Sequence, residues 1–164
     1  LRSKIWSMDT ETQWYERLVS LRTFHDPVKQ KFIYIGDLLL NNNRGLDLKR
    51  FIHVCEQIAL LKDELSIEAT VMKDEAKEMQ RLKMEYPQAV FLTDIEESAE
   101  RVSDAASKLH TEIEEVEKEL KKGEERSINL VQLNHCQSCF VKLEKLVDEI
   151  PTVMDLKLKY QHEY

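Results

Sequence analysis

Apolar residues recur along most of the chain in alternating steps of three and four, the period of a helix face buried against neighbouring helices. The pattern has no miss within the segment 94–122. Its apolar positions are Ile95, Ala99, Val102, Ala106, Leu109, Ile113, Val116 and Leu120. No segment alternates apolar and polar residues for long enough to indicate a strand in a sheet. The pattern therefore predicts an all-α fold.

A second long helix is predicted over 47–86, because Asp47 is a good N-cap and the residue before Pro87 is pushed out of the α region. Its predicted stripe is Phe51, Cys55, Ile58, Leu65, Ala69, Met72, Ala76 and Met79, with Leu61 and Leu82 replacing Lys62 and Lys83. Other apolar residues lie off this register, namely Ile52, Val54, Leu60, Ile67 and Val71. Such a wide apolar face suits either the centre of a bundle or contact with a second subunit.

A third long helix is predicted over 127–150, followed by a C-terminal tail, 151–164, that can hold a short helix. The third stripe consists of Leu133, Cys136, Phe140, Leu143, Val147 and Ile150. The N-terminal segment, 1–43, is also helical in pattern. Within it Asp26-Pro27 is typical of an N-cap followed by proline at the first helical position. The pattern leaves open whether this segment is one kinked helix or two.

Short connections at Pro87 and Gly123 require the three long helices to run antiparallel. The predicted fold is therefore an all-α, elongated antiparallel helical bundle with coiled-coil-type packing, to which the N-terminal helical segment adds a layer. The length of 164 residues predicts one domain, 1–164. Since the chain begins at Leu1 rather than Met, we expect it to be a fragment of a larger protein.

The composition favours long helices and a protein partner. Only 3 Gly and 3 Pro are present, so turns are few, and 34% of the residues are charged. The segment 92–125 holds 12 acidic and 5 basic residues, a difference that equals the whole net charge of −7. Surfaces that bind phosphate groups need a basic patch, so we expect neither nucleic acid nor direct membrane binding. A protein partner is expected, with self-association as one form of it.

Cysteine usage and hydropathy bear on the compartment. Three cysteines, an odd number, do not form a disulfide framework, which predicts a reducing cytoplasmic compartment, with the nucleus as the alternative. No run of about 18 apolar residues is present, and no transmembrane helix is predicted.

The one motif with metal-ligand spacing is Cys136-Gln-Ser-Cys139, beside His135. A structural zinc site needs four ligands, and the chain has no second pair with ligand spacing. Cys136 also falls on the apolar stripe, which favours a core position. No histidine has Glu three residues before it, and neither a phosphate-binding glycine loop nor a nucleophile elbow is present. We therefore predict no enzyme, no cofactor, no metal and no catalytic residue.

These features predict a non-catalytic protein–protein interaction module: a rigid helical spacer, or a docking or dimerisation domain, in a cytoskeletal or multi-protein scaffold. The alternative is a membrane-shaping helical dimer, and a Cys/His zinc-binding bundle is less favoured. Candidate partner-binding residues lie at the aromatic ends and on the acidic helix. They are Trp6, Trp14, Glu112, Glu115, Glu119, Tyr160 and Tyr164. Trp14 has a second interpretation, in which it packs the first helix onto the bundle.

Overall fold

The computed structural model describes residues 8–40, 47–122 and 129–160. Helices make up 89% of these residues, and none of them forms a strand. The elements are α1 (Met8–Thr23), α2 (Asp26–Leu40), α3 (Leu48–Glu85), α4 (Leu92–Lys122), α5 (Leu130–Asp148) and α6 (Val153–Lys159). The predicted all-α helical bundle is confirmed.

The N-terminal segment contains two helices, which settles the choice that the sequence left open. The break falls at Phe24 and His25, where the His25 amide donates to the Arg22 carbonyl at 3.2 Å. Helix α2 begins at Asp26, so Asp26 is its first residue rather than its N-cap. Pro27 lies in the first turn of α2, where the missing amide hydrogen costs nothing.

The longest helix, α3, has 38 residues and spans about 57 Å at 1.5 Å per residue. The predicted N-cap is confirmed, since the Asp47 carboxylate accepts from the Arg50 amide at 2.8 Å. The helix ends at Glu85, and the amide of the capping residue Tyr86 donates to the Leu82 carbonyl. A stiff helix of this length sets the long dimension of the bundle.

Helix α4 begins at Leu92, two residues before the predicted start, because the turn after Pro87 is itself tightly wound. The Leu92 amide donates to the Ala89 carbonyl at 3.1 Å within this turn. Asp94 therefore lies in the first helical turn, where its negative charge suits the helix dipole. The end at Lys122 agrees with the prediction, whereas Gly123 lies outside the described residues.

Helix α5 is shorter than the predicted 127–150. Its N-cap is Asn129, whose side chain accepts from the Val131 amide at 2.9 Å, and it ends at Asp148. Ser127, the predicted start, lies outside the described residues. After Pro151, a capping box between Thr152 and Asp155 starts the short helix α6.

The long helices run antiparallel, as predicted. Lys62 of α3 pairs with Glu117 of α4 at 2.8 Å, and Lys83 further along α3 pairs with Glu96 near the start of α4. As the residue number rises along α3, that of its partner on α4 falls. Helix α5 then packs against α4.

Helices α1 and α2 together form a fourth layer, antiparallel to α3. Arg17 of α1 donates to Glu75 at 2.7 Å, and Lys31 of α2 donates to Gln57 at 3.2 Å. On the other side of α2, Phe32 stacks on Phe140 of α5 with a centroid distance of 4.1 Å. The bundle therefore has four layers, of which the first (α1–α2) and the last (α5–α6) are broken.

The two breaks lie side by side. The guanidinium of Arg22, at the end of α1, donates to the Asp148 carbonyl at 3.2 Å and to the Ile150 carbonyl. The last carbonyls of a helix have no partner within the helix, and a cation at this end also suits the helix dipole. Arg22 therefore ties the α1–α2 junction to the α5–α6 junction.

The core confirms the α4 stripe and corrects the α3 stripe. All eight predicted α4 positions are buried. On α3, Phe51, Cys55 and Ala69 are only half-buried, whereas Val54 and Glu68 occupy the core. The register of α3 therefore differs by one residue from the prediction over part of its length.

Candidate interaction surfaces and buried sites

Much of the acidic charge of α4 holds the bundle together. Glu117 is buried and pairs with Lys62 at 2.8 Å. Glu112 lies 3.2 Å from the His135 ring of α5. These carboxylates contact neighbouring helices, so Glu112, a predicted partner-binding residue that is partly exposed, has a partner inside the chain.

Glu96 forms a second largely buried contact with α3. Its carboxylate accepts from Gln80 at 2.7 Å and from Lys83. Burial raises the pKa of Glu96, but the hydrogen bonds from Lys83 and Gln80 and the Lys83 charge outweigh it, and the pKa lies below its usual 4.5. The ionised form of Glu96 therefore stabilises the folded state.

We expect Glu96→Gln to lower the free energy of unfolding by about 1.5 kcal/mol at pH 7, because a hydrogen bond to a charged group is lost. A carboxylate whose pKa is lower in the folded state than in the unfolded state stabilises the fold at any pH above the unfolded-state pKa. This contribution is lost as the pH falls through the folded-state pKa. The difference in free energy of unfolding between variant and wild type should therefore shrink below pH 4.5. Urea unfolding at stepped pH measures it.

The matched control is Glu97→Gln, since Glu97 is exposed and makes only a surface pair with Arg101 at 3.6 Å. Its effect should stay within about 0.5 kcal/mol. If the loss of unfolding free energy in Glu96→Gln were independent of pH, the stabilising role of the ionised Glu96 carboxylate would be contradicted.

Two of the predicted acidic residues face outward. Glu115 is exposed and lies 3.7 Å from Lys118, and Glu119 is exposed as well. Pairs of this kind between exposed side chains contribute little to stability. Glu115 and Glu119 therefore form the outward acidic part of the predicted surface.

The predicted aromatic candidates have different environments. Trp14 is only 6% exposed and packs in the core with Arg17 over its ring, which agrees with the second interpretation given to it. Tyr160 is half-buried, and its hydroxyl donates to Asp94 at 2.7 Å, which docks the end of α6 onto α4. Trp6 and Tyr164 lie outside the described residues.

The Cys136–Cys139 pair lies on α5 facing α4. Both side chains are buried, and burial raises the pKa of the Cys136 thiol to about 12. Burial also raises the pKa of Cys139, with the Glu112 charge as a second cause. Thiols with raised pKa values are protonated at neutral pH, whereas redox chemistry and metal binding use the thiolate. The predicted core position of Cys136 is confirmed.

Within the described residues, no group of three or more His, Cys, Asp or Glu side chains is arranged to hold a metal ion. Nε2 of His135 lies 4.0 Å from the Cys139 sulfur and 3.2 Å from the Glu112 carboxylate.

The core also contains a polar pair that the sequence analysis missed. Nδ1 of His25 lies 2.9 Å from Oε1 of Glu68, and both side chains are buried, at 4% and 0% exposure. Among the described residues, His25 Nε2 and Glu68 Oε2 find no hydrogen-bond partner. The hydrophobic pattern gave no clue to Glu68, because Ala69, four residues after Leu65 and three before Met72, already fills the expected apolar position.

Helix α3 presents an exposed apolar face to solvent. Ile52, Leu60 and Ile67 are each about half exposed, at 49%, 44% and 53%. Exposed Glu56 and Asp63 lie between them, and all five residues fall within about 80° of the helix circumference. We call these five residues the outer α3 face.

A cavity of about 390 Å³ lies among α2, α3, α4 and α5 near the end of the bundle opposite Pro87. Most of its lining residues are apolar, among them Phe32, Ile58 and Ile113. Gly36 of α2 also lines it, and a Cβ placed on Gly36 would meet no atom within 4 Å.

We expect Gly36→Ala to raise the free energy of unfolding by about 1 kcal/mol. Glycine in a helix interior is less favourable than alanine by this amount, and the open space removes any steric penalty. Thermal unfolding followed by circular dichroism measures the change. A fall in melting temperature would show that the α2 backbone cannot accept a side chain here.

Comparison with protein-family models, curated proteins and solved structures gives no match for this chain. Among the described residues, no helix is both long enough and apolar enough to cross a membrane.

Proposed function

We propose that this chain is a non-catalytic protein–protein interaction module, a stiff bundle that acts as a spacer or docking domain within a cytoskeletal or multi-protein scaffold. The observation that carries the proposal is the outer α3 face. It displays apolar side chains on a helix about 57 Å long, which keeps them at fixed spacing. Contact residues at such spacing are typical of helix-to-helix recognition.

The charge of this face favours a basic partner helix over a second copy. Glu56 and Asp63 separate the apolar residues, and the net charge of the chain is −7. Acidic side chains at a contact favour Lys or Arg on the partner and disfavour another acidic surface. The partner's helix is therefore inferred to carry leucine-like residues flanked by basic ones. The proposal also places the chain in a reducing cytoplasmic or nuclear compartment, where its three free cysteines remain unpaired.

The test uses a helical peptide of Leu and Lys in three-four spacing as the probe, titrated against the intact chain by fluorescence anisotropy. Wild type should bind saturably, and Leu60→Glu/Ile67→Glu should weaken binding at least about tenfold, since it removes both apolar contacts. The two added glutamates would strengthen nonspecific electrostatic attraction of the lysine-rich peptide. Weaker binding by the variant therefore reports the loss of the apolar contacts. Equal binding by this variant would overturn the assignment of the face.

The matched control is Val19→Glu, because Val19 is an exposed apolar residue of α1 outside the outer α3 face. It should bind the peptide like wild type. Sedimentation velocity adds an independent measurement, in which the chain alone is expected to be an elongated monomer. A dimer that Leu60→Glu/Ile67→Glu dissociates would show that a second copy, and not a basic partner, covers this face.

A further inference from the structure

The space beside Gly36 is too large for an ordinary packing defect. Protein interiors are close-packed, with few voids larger than a water molecule. The cavity here measures about 390 Å³, and an apolar cavity of about 150 Å³ already accepts benzene. A molecule larger than benzene therefore fits without displacing side chains.

The cavity walls come from all four layers of the bundle. Phe32 comes from α2, Leu61 from α3, Val116 from α4 and Leu133 from α5. A molecule inside would be enclosed by apolar side chains on several sides, and such enclosure is typical of small-molecule sites.

The opening of the cavity carries neutral polar groups. Asn134 and Gln137, one turn apart on α5, are both exposed and line the cavity. Their amides can donate to and accept from a polar group at the mouth. No charged side chain belongs to the described residues that line the cavity, so none of these residues offers a counterion to a charged ligand.

We propose that this cavity is a binding site for a small, uncharged, mainly apolar molecule whose single polar group lies at the mouth between Asn134 and Gln137. The ligand class is a fused aromatic or short aliphatic alcohol. This site lies inside the bundle rather than on the outer α3 face, so it does not depend on the proposed partner binding.

The first experiment titrates the intact chain with 2-naphthol, a neutral bicyclic alcohol, and follows the fluorescence of the probe. Saturable one-to-one binding is expected. The charged analogue 2-naphthoate should bind at least about tenfold more weakly, because the described residues that line the cavity include no cation. Absence of saturable 2-naphthol binding, or equal affinity for both probes, would overturn the proposal.

The second experiment fills the cavity. Gly36→Leu is expected to fold, since a side chain at this position enters open space, and to weaken 2-naphthol binding at least about tenfold by occupying the site. Gly36→Ala is the control, because one methyl group leaves most of the volume free. It should keep the wild-type affinity within about threefold. Unchanged affinity in a folded Gly36→Leu variant would contradict the assigned location.

A third measurement locates the probe in the wild-type protein and does not depend on any variant. Methyl-labelled protein is titrated with 2-naphthol and followed by NMR. Shift changes should concentrate on methyl groups of the cavity walls, such as Ile58, Ile113 and Val116. Changes centred instead on exposed methyl groups, such as those of Leu60 and Ile67, would show surface binding and overturn the proposal.

Discussion

Replacing Glu68 with Met is expected to lower the free energy of unfolding by about 4 kcal/mol, and His25→Phe should have an effect of similar size. The two side chains are hydrogen-bonded to each other at 2.9 Å inside the core, and each has a second polar atom that finds no partner in the described part of the chain. Removal of either residue leaves the other buried with no hydrogen bond to any described residue. A buried group in that state costs its full desolvation penalty.

The double variant, His25→Phe/Glu68→Met, should recover most of this loss. It removes both polar groups together, and replacement of a whole buried pair by apolar residues of similar size is often neutral or stabilising. The new ring at position 25 can also keep the stacking that His25 makes on Phe140 at 6.0 Å. A double-mutant cycle measured by urea unfolding gives the coupling between the two positions.

Tyr34→Phe serves as the control for this cycle. It removes a hydrogen bond of 2.7 Å between the Tyr34 hydroxyl and His53, which lies on the surface. Its effect should be within about 0.5 kcal/mol. If the losses of the two single core variants simply added in the double variant, the inferred dependence of each residue on the other would be wrong.

Leu65→Ala is expected to cost about 3 kcal/mol and to lower the melting temperature by roughly 6–12 °C. Leu65 lies in the middle of α3 with no exposed surface, so the truncation removes buried methyl groups and leaves a cavity between packed helices. Calorimetry on the intact chain measures both quantities.

The matched control for this truncation is Leu48→Ala, on the same helix, because Leu48 is 55% exposed. Its effect should stay near zero, within about 0.5 kcal/mol. Equal losses at the two positions would show that α3 is not packed in the register described.

How far the sequence predicts this fold differs from helix to helix. Helix α4 was predicted correctly along its whole stripe, since its apolar residues occupy one narrow face from Ile95 to Leu120. Helix α3 contacts layers on two sides and has a wide apolar face. Two adjacent apolar residues can therefore each fit the same core position in the pattern, and the pattern does not decide between them. Cys55 was predicted to be in the core, and Val54 is there instead.

Polar contacts between distant segments could not be predicted from periodicity. Glu68 pairs with His25, 43 residues away, and a hydrophobic pattern assigns a glutamate to the surface. The same limit applies to Glu112, which was predicted to bind a partner, and to Glu117, because each contacts a side chain of a neighbouring helix. Charge counts give the sign of the net charge of a segment, but they do not show which carboxylates contact a side chain on the neighbouring helix.

The cavity could not be predicted from the sequence either, because an unfilled volume depends on how the four helix layers are spaced. Gly36, in the middle of α2, was the one available clue, since glycine in a helix interior often has a packing or functional reason. Outward residues such as Leu60 and Ile67 were noticed as lying off the register, and their exposure shows that they face solvent.

The side-by-side breaks at His25 and Pro151 divide the molecule mechanically. Helices α3 and α4 pass this level without interruption, while both outer layers are jointed there and are held by Arg22. A bending or pulling force applied to the ends of the chain would therefore act first on α1 and α6. The half that contains α2 and α5, with its internal cavity, would keep its shape, so strain on one end need not reach the other.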